Sequence, residues 1–104
     1  RVDRELKERN LDIPLYVTEN GIATGNDEER VVFIEKALSG LKRAKDEGVD
    51  VRGYFHWSLL DNFEWQKGFS MTFGLIAVDR TTMKRYPKPS LKYLGSYAPM
   101  KRNV

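Results

Sequence analysis

Two short stretches hold the residues whose types could do chemistry. The first is Thr18-Glu19-Asn20-Gly21. The second runs His56-Trp57-Ser58-Leu59-Leu60-Asp61-Asn62-Phe63-Glu64-Trp65. Together they are acidic and aromatic. Carboxylates act as nucleophiles or as general acids and bases, and indole rings stack on the C–H faces of sugars. Asn, Glu and the Trp N–H exchange hydrogen bonds with hydroxyls. The residue types alone point to a carbohydrate site.

Such residues must be brought together by the elements that carry them. Leu15–Thr18 is a short apolar and β-branched run, read as a buried strand that ends in the turn signal Glu19-Asn20-Gly21. Asn26 followed by Glu29 resembles a capping box. Val31, Ile34, Leu38 and Leu41 then recur on one helical face. Lys42, Arg43 and Lys45 suit the negative end of the helix dipole, and Gly48 suits the end of the helix. Val49–Trp57 reads as a second strand. Strand, helix and strand in this order form a βαβ unit with parallel strands. Ligands in parallel α/β folds bind beyond the carboxyl ends of the strands, so Glu19 and Trp57 are expected to face one cleft.

The remaining segments are plainer. Val2–Arg9 reads as the charged end of a helix and Leu11–Pro14 as a turn. Ser58–Phe69 reads as a loop, with room for a helical turn around Asp61–Trp65. Phe73–Val78 and Lys84–Tyr86 flank the polar turn Asp79–Met83, as in a β-hairpin. Pro87 and Pro89 end it, and Pro89 suits the first position of a closing helix reaching about Tyr97. Two parallel strands alone leave both edges open. The chain is therefore expected to pack against further βα units.

The composition narrows the partners. The chain has 104 residues, 40% hydrophobic and 32% charged, as in an ordinary globular segment. Its 18 Lys+Arg against 15 Asp+Glu give +3, spread without a basic run, so no nucleic-acid partner is expected. The apolar runs fall far short of the ~20 residues that span a bilayer, so no membrane partner is expected. One His and no Cys speak against a metal site and leave no disulfide. Residue 1 is Arg and no signal-peptide layout follows it, which reads as a processed chain or a piece of a longer one.

The motif TENG at 18–21, the block GYFHWSLLDNFEWQKGF at 53–69 and FGL at 73–75 resemble glycoside hydrolase family 1, the β-glucosidase and β-galactosidase family. The long block is very specific, and the resemblance runs from about Ile13 to Leu94. It implies a (β/α)8 TIM barrel of which this chain supplies the last two βα units, with the hairpin between the eighth strand and the closing helix. Residues 1–104 would then be the C-terminal part of one glycosidase domain, with the remaining βα units as its partner.

The resemblance also implies roles. Glu19 would be the nucleophile that forms a glycosyl-enzyme intermediate. Trp57 would stack under the sugar next to the scissile bond. Glu64 would accept from sugar hydroxyls, Trp65 would donate its N–H to a neighbouring one, and Phe73 would line the wall. Members that act on 6-phosphorylated sugars carry Ser with nearby Lys and Tyr in this loop. A carboxylate at Glu64 repels phosphate, so the expected substrate is an unphosphorylated β-glycoside. No cofactor is implied. By propensity Trp57 is a core residue, and its place at a strand end and the resemblance reverse that. His56 is read as a satisfied core histidine without catalytic duty. Tyr16, Tyr54 and Phe55 are read as packing residues, and Asp61 and Asn62 as shapers of the loop through local backbone bonds.

Two departures stand out. The family usually has Arg before FGL, where this chain has Thr72, so a cation near the loop carboxylates is lost. The family's acid/base glutamate lies in an NEP motif after the fourth strand, and no NEP occurs here.

Overall fold

In the computed structural model, residues 5, 8, 12–63, 68 and 70–98 are described. The elements in order are β1 (Leu15–Asn20), α1 (Asp27–Asp46), β2 (Val51–His56), β3 (Ile76–Val78), β4 (Arg85–Pro87) and α2 (Pro89–Gly95). Of the expected N-terminal helical stretch, only Glu5 and Glu8 are described, and both are helical.

β1 and β2 pair in parallel, as a βαβ unit requires. The register is Leu15↔Val51, Tyr16↔Gly53, Val17↔Tyr54 and Asn20↔His56. Between Val17 and Asn20, β1 therefore holds one residue more than its partner. This bulge is the reason that β1 runs on to Asn20 instead of turning at Glu19. Gly53 faces Tyr16 across the pair, and a Cβ there would lie 2.7 Å from the Tyr16 ring, so only glycine leaves the ring its place.

α1 begins one residue after Asn26, whose side-chain oxygen accepts from the Glu28 N–H at 3.0 Å. The reciprocal half of the expected capping box is not formed. The Asn26 N–H donates to the Thr24 hydroxyl oxygen at 3.0 Å, and Glu29 accepts from that same hydroxyl at 3.0 Å. Asp27, Glu28 and Glu29 occupy the first turn and Arg43 and Lys45 the last, matching the dipole. Gly48, at φ +97°, ends the helix in a left-handed conformation that disfavours any side chain. Ile34 and Ala44 are the buried apolar residues of this helix.

β3 and β4 form an antiparallel hairpin with Ile76↔Pro87, Ala77↔Tyr86 and Val78↔Arg85. The turn between them is held by Asp79, whose carboxylate accepts from Thr81 N at 2.9 Å. The hairpin is hooked to the loop after β2 by a parallel bridge from Leu60 to Ile76. α2 starts at Pro89, where the missing N–H costs nothing. It packs on α1. Residues 61–63, the described part of the expected helical turn, are not helical, and the Asp61 N–H donates to the Ile76 carbonyl at 3.0 Å.

Among the described residues, Ile34, Ala44 and Leu75 are the buried hydrophobic ones. One face of the β1–β2 pair turns toward α1. The other is open, with Tyr16 56% and Phe55 60% exposed. These packing residues thus have no cover within this chain's described part.

Candidate active site

β1 and β2 run in the same direction, so their carboxyl ends lie side by side. The Trp57 N–H donates to the Asn20 carbonyl at 2.9 Å, continuing the pairing one residue past β2. Glu19 precedes Asn20 at the end of β1. The bulge breaks the alternation there, leaving both Thr18 and Glu19 exposed in succession. Bulges re-aim side chains, and this one turns the Glu19 carboxylate out of the ladder into solvent. Trp57 is 44% exposed, and its peptide bond to Ser58 is cis.

Gly21 explains the last letter of TENG. A Cβ on Gly21 would lie 1.9 Å from the Trp57 carbonyl oxygen and 3.5 Å from the Phe73 ring. The chain leaving β1 thus runs against the backbone of Trp57 and beside Phe73. Ser58 N–H donates to the Phe73 carbonyl at 3.2 Å, and Leu75 N–H donates to the Ser58 carbonyl at 3.0 Å. The structure accordingly brings Glu19, Trp57 and Phe73 to one end of the sheet. Glu64 and Trp65 lie outside the described residues.

Gly74 plays a similar part in FGL. A Cβ there would lie 2.3 Å from Asp61 N and 2.5 Å from its carboxylate oxygen. Among the described residues the Asp61 side chain bonds no neighbouring backbone, contrary to the expectation from sequence. Its carboxylate accepts from Gly74 N–H at 3.0 Å and from Lys88 Nζ at 2.7 Å, so it ties the loop after β2 to two distant segments. Asn62 donates to the Ser58 hydroxyl at 3.4 Å. A cation does stand beside Thr72: the Lys88 ammonium lies 3.4 Å from the Thr72 hydroxyl and 2.9 Å from the Gly74 carbonyl.

Beneath the loops lies a buried ion pair. Arg30 is 1% exposed and donates to Asp27 at 2.8 Å. Its other terminal nitrogen donates to the Thr24 carbonyl at 2.9 Å and the Thr72 carbonyl at 2.6 Å. Asp27 also accepts from the Ser90 N–H at 2.8 Å and hydroxyl at 2.7 Å. Burial alone would raise the Asp27 pKa, but the bonds from Ser90 and Arg30 outweigh it and hold the carboxyl below its ordinary value.

His56 departs from the expected satisfied core residue. Both ring nitrogens are buried, and neither makes a hydrogen bond of good geometry among the described residues. Burial, reinforced by the charge of Arg30, lowers its pKa, and the nearby Phe73 carbonyl opposes this only in part. Tyr54, on the same face of β2, donates its hydroxyl to the Asn20 side chain at 2.9 Å, and burial raises its pKa. Arg30 and Lys88 escaped the sequence reading. One is a charged residue on a helix and the other stands between two prolines, and neither position announces a buried partner.

An α/β segment with a carboxylate and an indole at the carboxyl ends of adjacent parallel strands is the class of protein that fold and site define. The chain belongs to glycosyl hydrolase family 1, whose profile matches residues 2–103. It is 54% identical over 78 residues to a β-galactosidase of Sulfolobus acidocaldarius, covering 75% of this chain and 16% of that protein. It is 49% identical over 96 residues to β-glucosidase 47 of Arabidopsis thaliana, covering 86% and 18%. Among solved structures, apo β-glucosidase 1317 superposes with a TM-score of 0.81 at 54% identity, over 88% of this chain and 23% of that one. A family 1 β-glucosidase from Thermotoga maritima in complex with isofagomine lactam gives 0.81 at 38% identity, over 91% and 23%. These neighbours are TIM-barrel β-glucosidases, and this chain shares their α/β architecture over the matched segment. The chain thus spans about a fifth of the length of its relatives.

Proposed function

We propose that this chain forms the seventh and eighth βα units of a (β/α)8 barrel that hydrolyses terminal β-glycosidic bonds with retention. The observation that carries the reading is the pairing of Glu19 and Trp57 at the carboxyl ends of adjacent parallel strands, with a bulge that exposes the carboxylate. Family membership and the names of its relatives support a β-glucoside or β-galactoside as substrate. The thin core and the open face with Tyr16 and Phe55 support the packing of further βα units against this one.

The chemistry then follows from the carboxylate. A Glu19 oxygen attacks the anomeric carbon from the face opposite the leaving group. The C–O bond to the aglycone breaks, and its oxygen takes a proton from a second carboxylic acid. In retaining enzymes the two carboxyls lie ~5–5.5 Å apart. No NEP glutamate occurs here, so that acid belongs to the rest of the barrel. It next deprotonates a water, which attacks the anomeric carbon of the ester, releases the sugar with its original configuration and restores Glu19. Trp57 stacks on the sugar, Phe73 bounds the pocket, and Glu64 and Trp65 bind its hydroxyls. The charge on Glu64 selects against phosphorylated sugars.

A second reading concerns the 104 residues by themselves: a catalytically incomplete piece or sugar-binding remnant. The absent acid/base glutamate and the open strand edges favour it for the isolated chain.

One experiment addresses both. The full-length protein carrying this chain, its Glu19→Gln variant and the isolated chain are assayed on 4-nitrophenyl β-glucoside and β-galactoside. The full-length protein is expected to turn over and to release the β-anomer first, as seen by NMR. Glu19→Gln is expected to lose at least on the order of 10³-fold in kcat. Near-normal turnover by that variant sinks the nucleophile assignment. Turnover by the isolated chain sinks the second reading.

A further inference from the structure

The proposed reaction uses Glu19, Trp57 and Phe73, and the hydrogen bonds of Arg30 among the described residues go to other partners. Arg30 is nevertheless the most deeply buried charge among the described residues, at 1% exposure. A guanidinium is seldom buried without a specific partner set. Its set is unusual in where it leads. Nη1 pairs with Asp27 at 2.8 Å, at the start of α1. Nη2 bridges two backbone carbonyls, Thr24 at 2.9 Å and Thr72 at 2.6 Å.

Those carbonyls belong to the two segments that complete the site. Thr24 is on the loop that leaves β1 through Glu19 and Gly21. Thr72 directly precedes Phe73. The segments also bond each other, with Thr24 N–H donating to the Thr72 carbonyl at 3.0 Å and the Thr72 hydroxyl to the Thr24 carbonyl at 3.1 Å. Phe73 in turn accepts from Ser58, next to Trp57, and its ring lies beside Gly21. Arg30 therefore stands at the base of a closed circuit running through Thr24, Gly21, Trp57, Ser58, Phe73 and Thr72.

We propose that Arg30 is a positioning residue for the site, its guanidinium clamping the Thr24 and Thr72 carbonyls so that the loop that follows Glu19 and the segments carrying Trp57 and Phe73 are held as one body. The inference rests on the glycosidase reading. Arginine suits this task because its rigid planar fork holds an anion and two carbonyls at once. Lysine keeps the charge for Asp27 but, as a point donor on a flexible stem, cannot fix the same three partners in one plane. Loosening the circuit shifts the nucleophile relative to the stacked sugar. Alignment at the reacting centre is worth far more than a contact elsewhere, and a displacement of about 1 Å costs on the order of 100-fold. The loop that leads to Glu64 has an anchor of its own in the Asp61–Lys88 pair, so substrate binding is expected to be affected less than turnover.

The test uses the full-length protein and its Arg30→Lys and Arg30→Met variants. Melting temperatures are measured first, and kcat and KM on 4-nitrophenyl β-glucoside are then taken well below the melting temperature of the Arg30→Lys variant. The parent is also treated with a 2-deoxy-2-fluoro glycoside, and the labelled peptide is identified by mass. Arg30→Lys is expected to fold, to lose roughly 10- to 100-fold in kcat, and to keep KM within about threefold. Arg30→Met, which leaves Asp27 buried without its cation, is expected to lose more. A folded Arg30→Lys variant with kcat within about twofold of the parent overturns the proposal. So does a variant that is unfolded at every temperature, which makes Arg30 purely structural. A parent that is not labelled at Glu19 removes the nucleophile reading instead, and that outcome is distinct from a labelled parent with an indifferent Arg30→Lys variant.

Discussion

Gly21 and Trp57 meet backbone to backbone: a Cβ on Gly21 would lie 1.9 Å from the Trp57 carbonyl oxygen and 3.0 Å from the carbonyl carbon. Two segments 36 residues apart in sequence thus depend on each other's shape at the place where Glu19 and Trp57 come to one end of the sheet.

Gly21→Ala forces that carbonyl to move. Overpacking of this kind costs about 1–3 kcal/mol. The obstacle is backbone, so the strain cannot be relieved by a side-chain rotation. The full-length Gly21→Ala variant is expected to melt earlier and to lose activity at temperatures where it remains folded. Unchanged kcat and KM would show that Trp57 need not be held where it lies.

Lys88 and Asp61 carry a second link, between α2's entry strand and the loop that leads to Glu64. Their pair is 2.7 Å long, with both side chains 15% exposed. Lys88→Met removes a charged hydrogen bond and leaves the Asp61 carboxylate, among the described residues, with the Gly74 N–H. The expected loss is about 2 kcal/mol in urea unfolding. A rise in KM for the aryl β-glucoside should accompany it if the loop that leads to Glu64 binds the sugar hydroxyls as proposed, because that loop loses an anchor.

Asp27 is expected to contribute to stability in acid. Its folded pKa lies below the ordinary 3.8 despite burial, because Ser90 and Arg30 donate to the ionised form. A depressed carboxyl contributes stability above its unfolded pKa and loses it as pH falls through the folded value. Asp27→Asn is expected to flatten the acid limb below about pH 4 and to cost about 3 kcal/mol near neutrality, since Arg30 stays buried without its anion. Equal acid unfolding profiles for parent and variant would remove Asp27 from this role.

His56 acts at higher pH. Its pKa is lowered from 6.5 by burial and by Arg30. The depressed value means that its neutral form is favoured on folding. The contribution is complete above the unfolded pKa and declines as pH falls toward the folded one. His56→Phe has no proton to take up, so its melting temperature is expected to fall less between about pH 7 and pH 5 than that of the parent. A parallel decline in both proteins would assign the pH dependence elsewhere.

Local pattern carried much of the architecture. The helical face of Val31, Ile34, Leu38 and Leu41 and the glycine at 48 were enough for α1, and the polar turn at 79–83 was enough for the hairpin. These signals are short-range, since periodicity, caps and turns are written in neighbouring residues. The extension of β1 through Glu19 and Asn20 was not legible, because a bulge exists only relative to the partner strand's register. The reach of Asp61 to Lys88 and Gly74 was equally hidden, since its partners lie 27 and 13 residues away.

The sequence by itself determined the family and the parallel βαβ order, because TENG and the long aromatic block put a carboxylate and an indole at two strand ends. Tertiary structure alone decided how those groups are held. Glu19 is exposed by a bulge set against β2, Gly21 is required by the Trp57 backbone, and Arg30 is buried beneath both loops. The physical reason is the same in each case. A residue's type declares the chemistry that it can do, whereas close approach, register and the burial of a charge are properties of two chain segments at once.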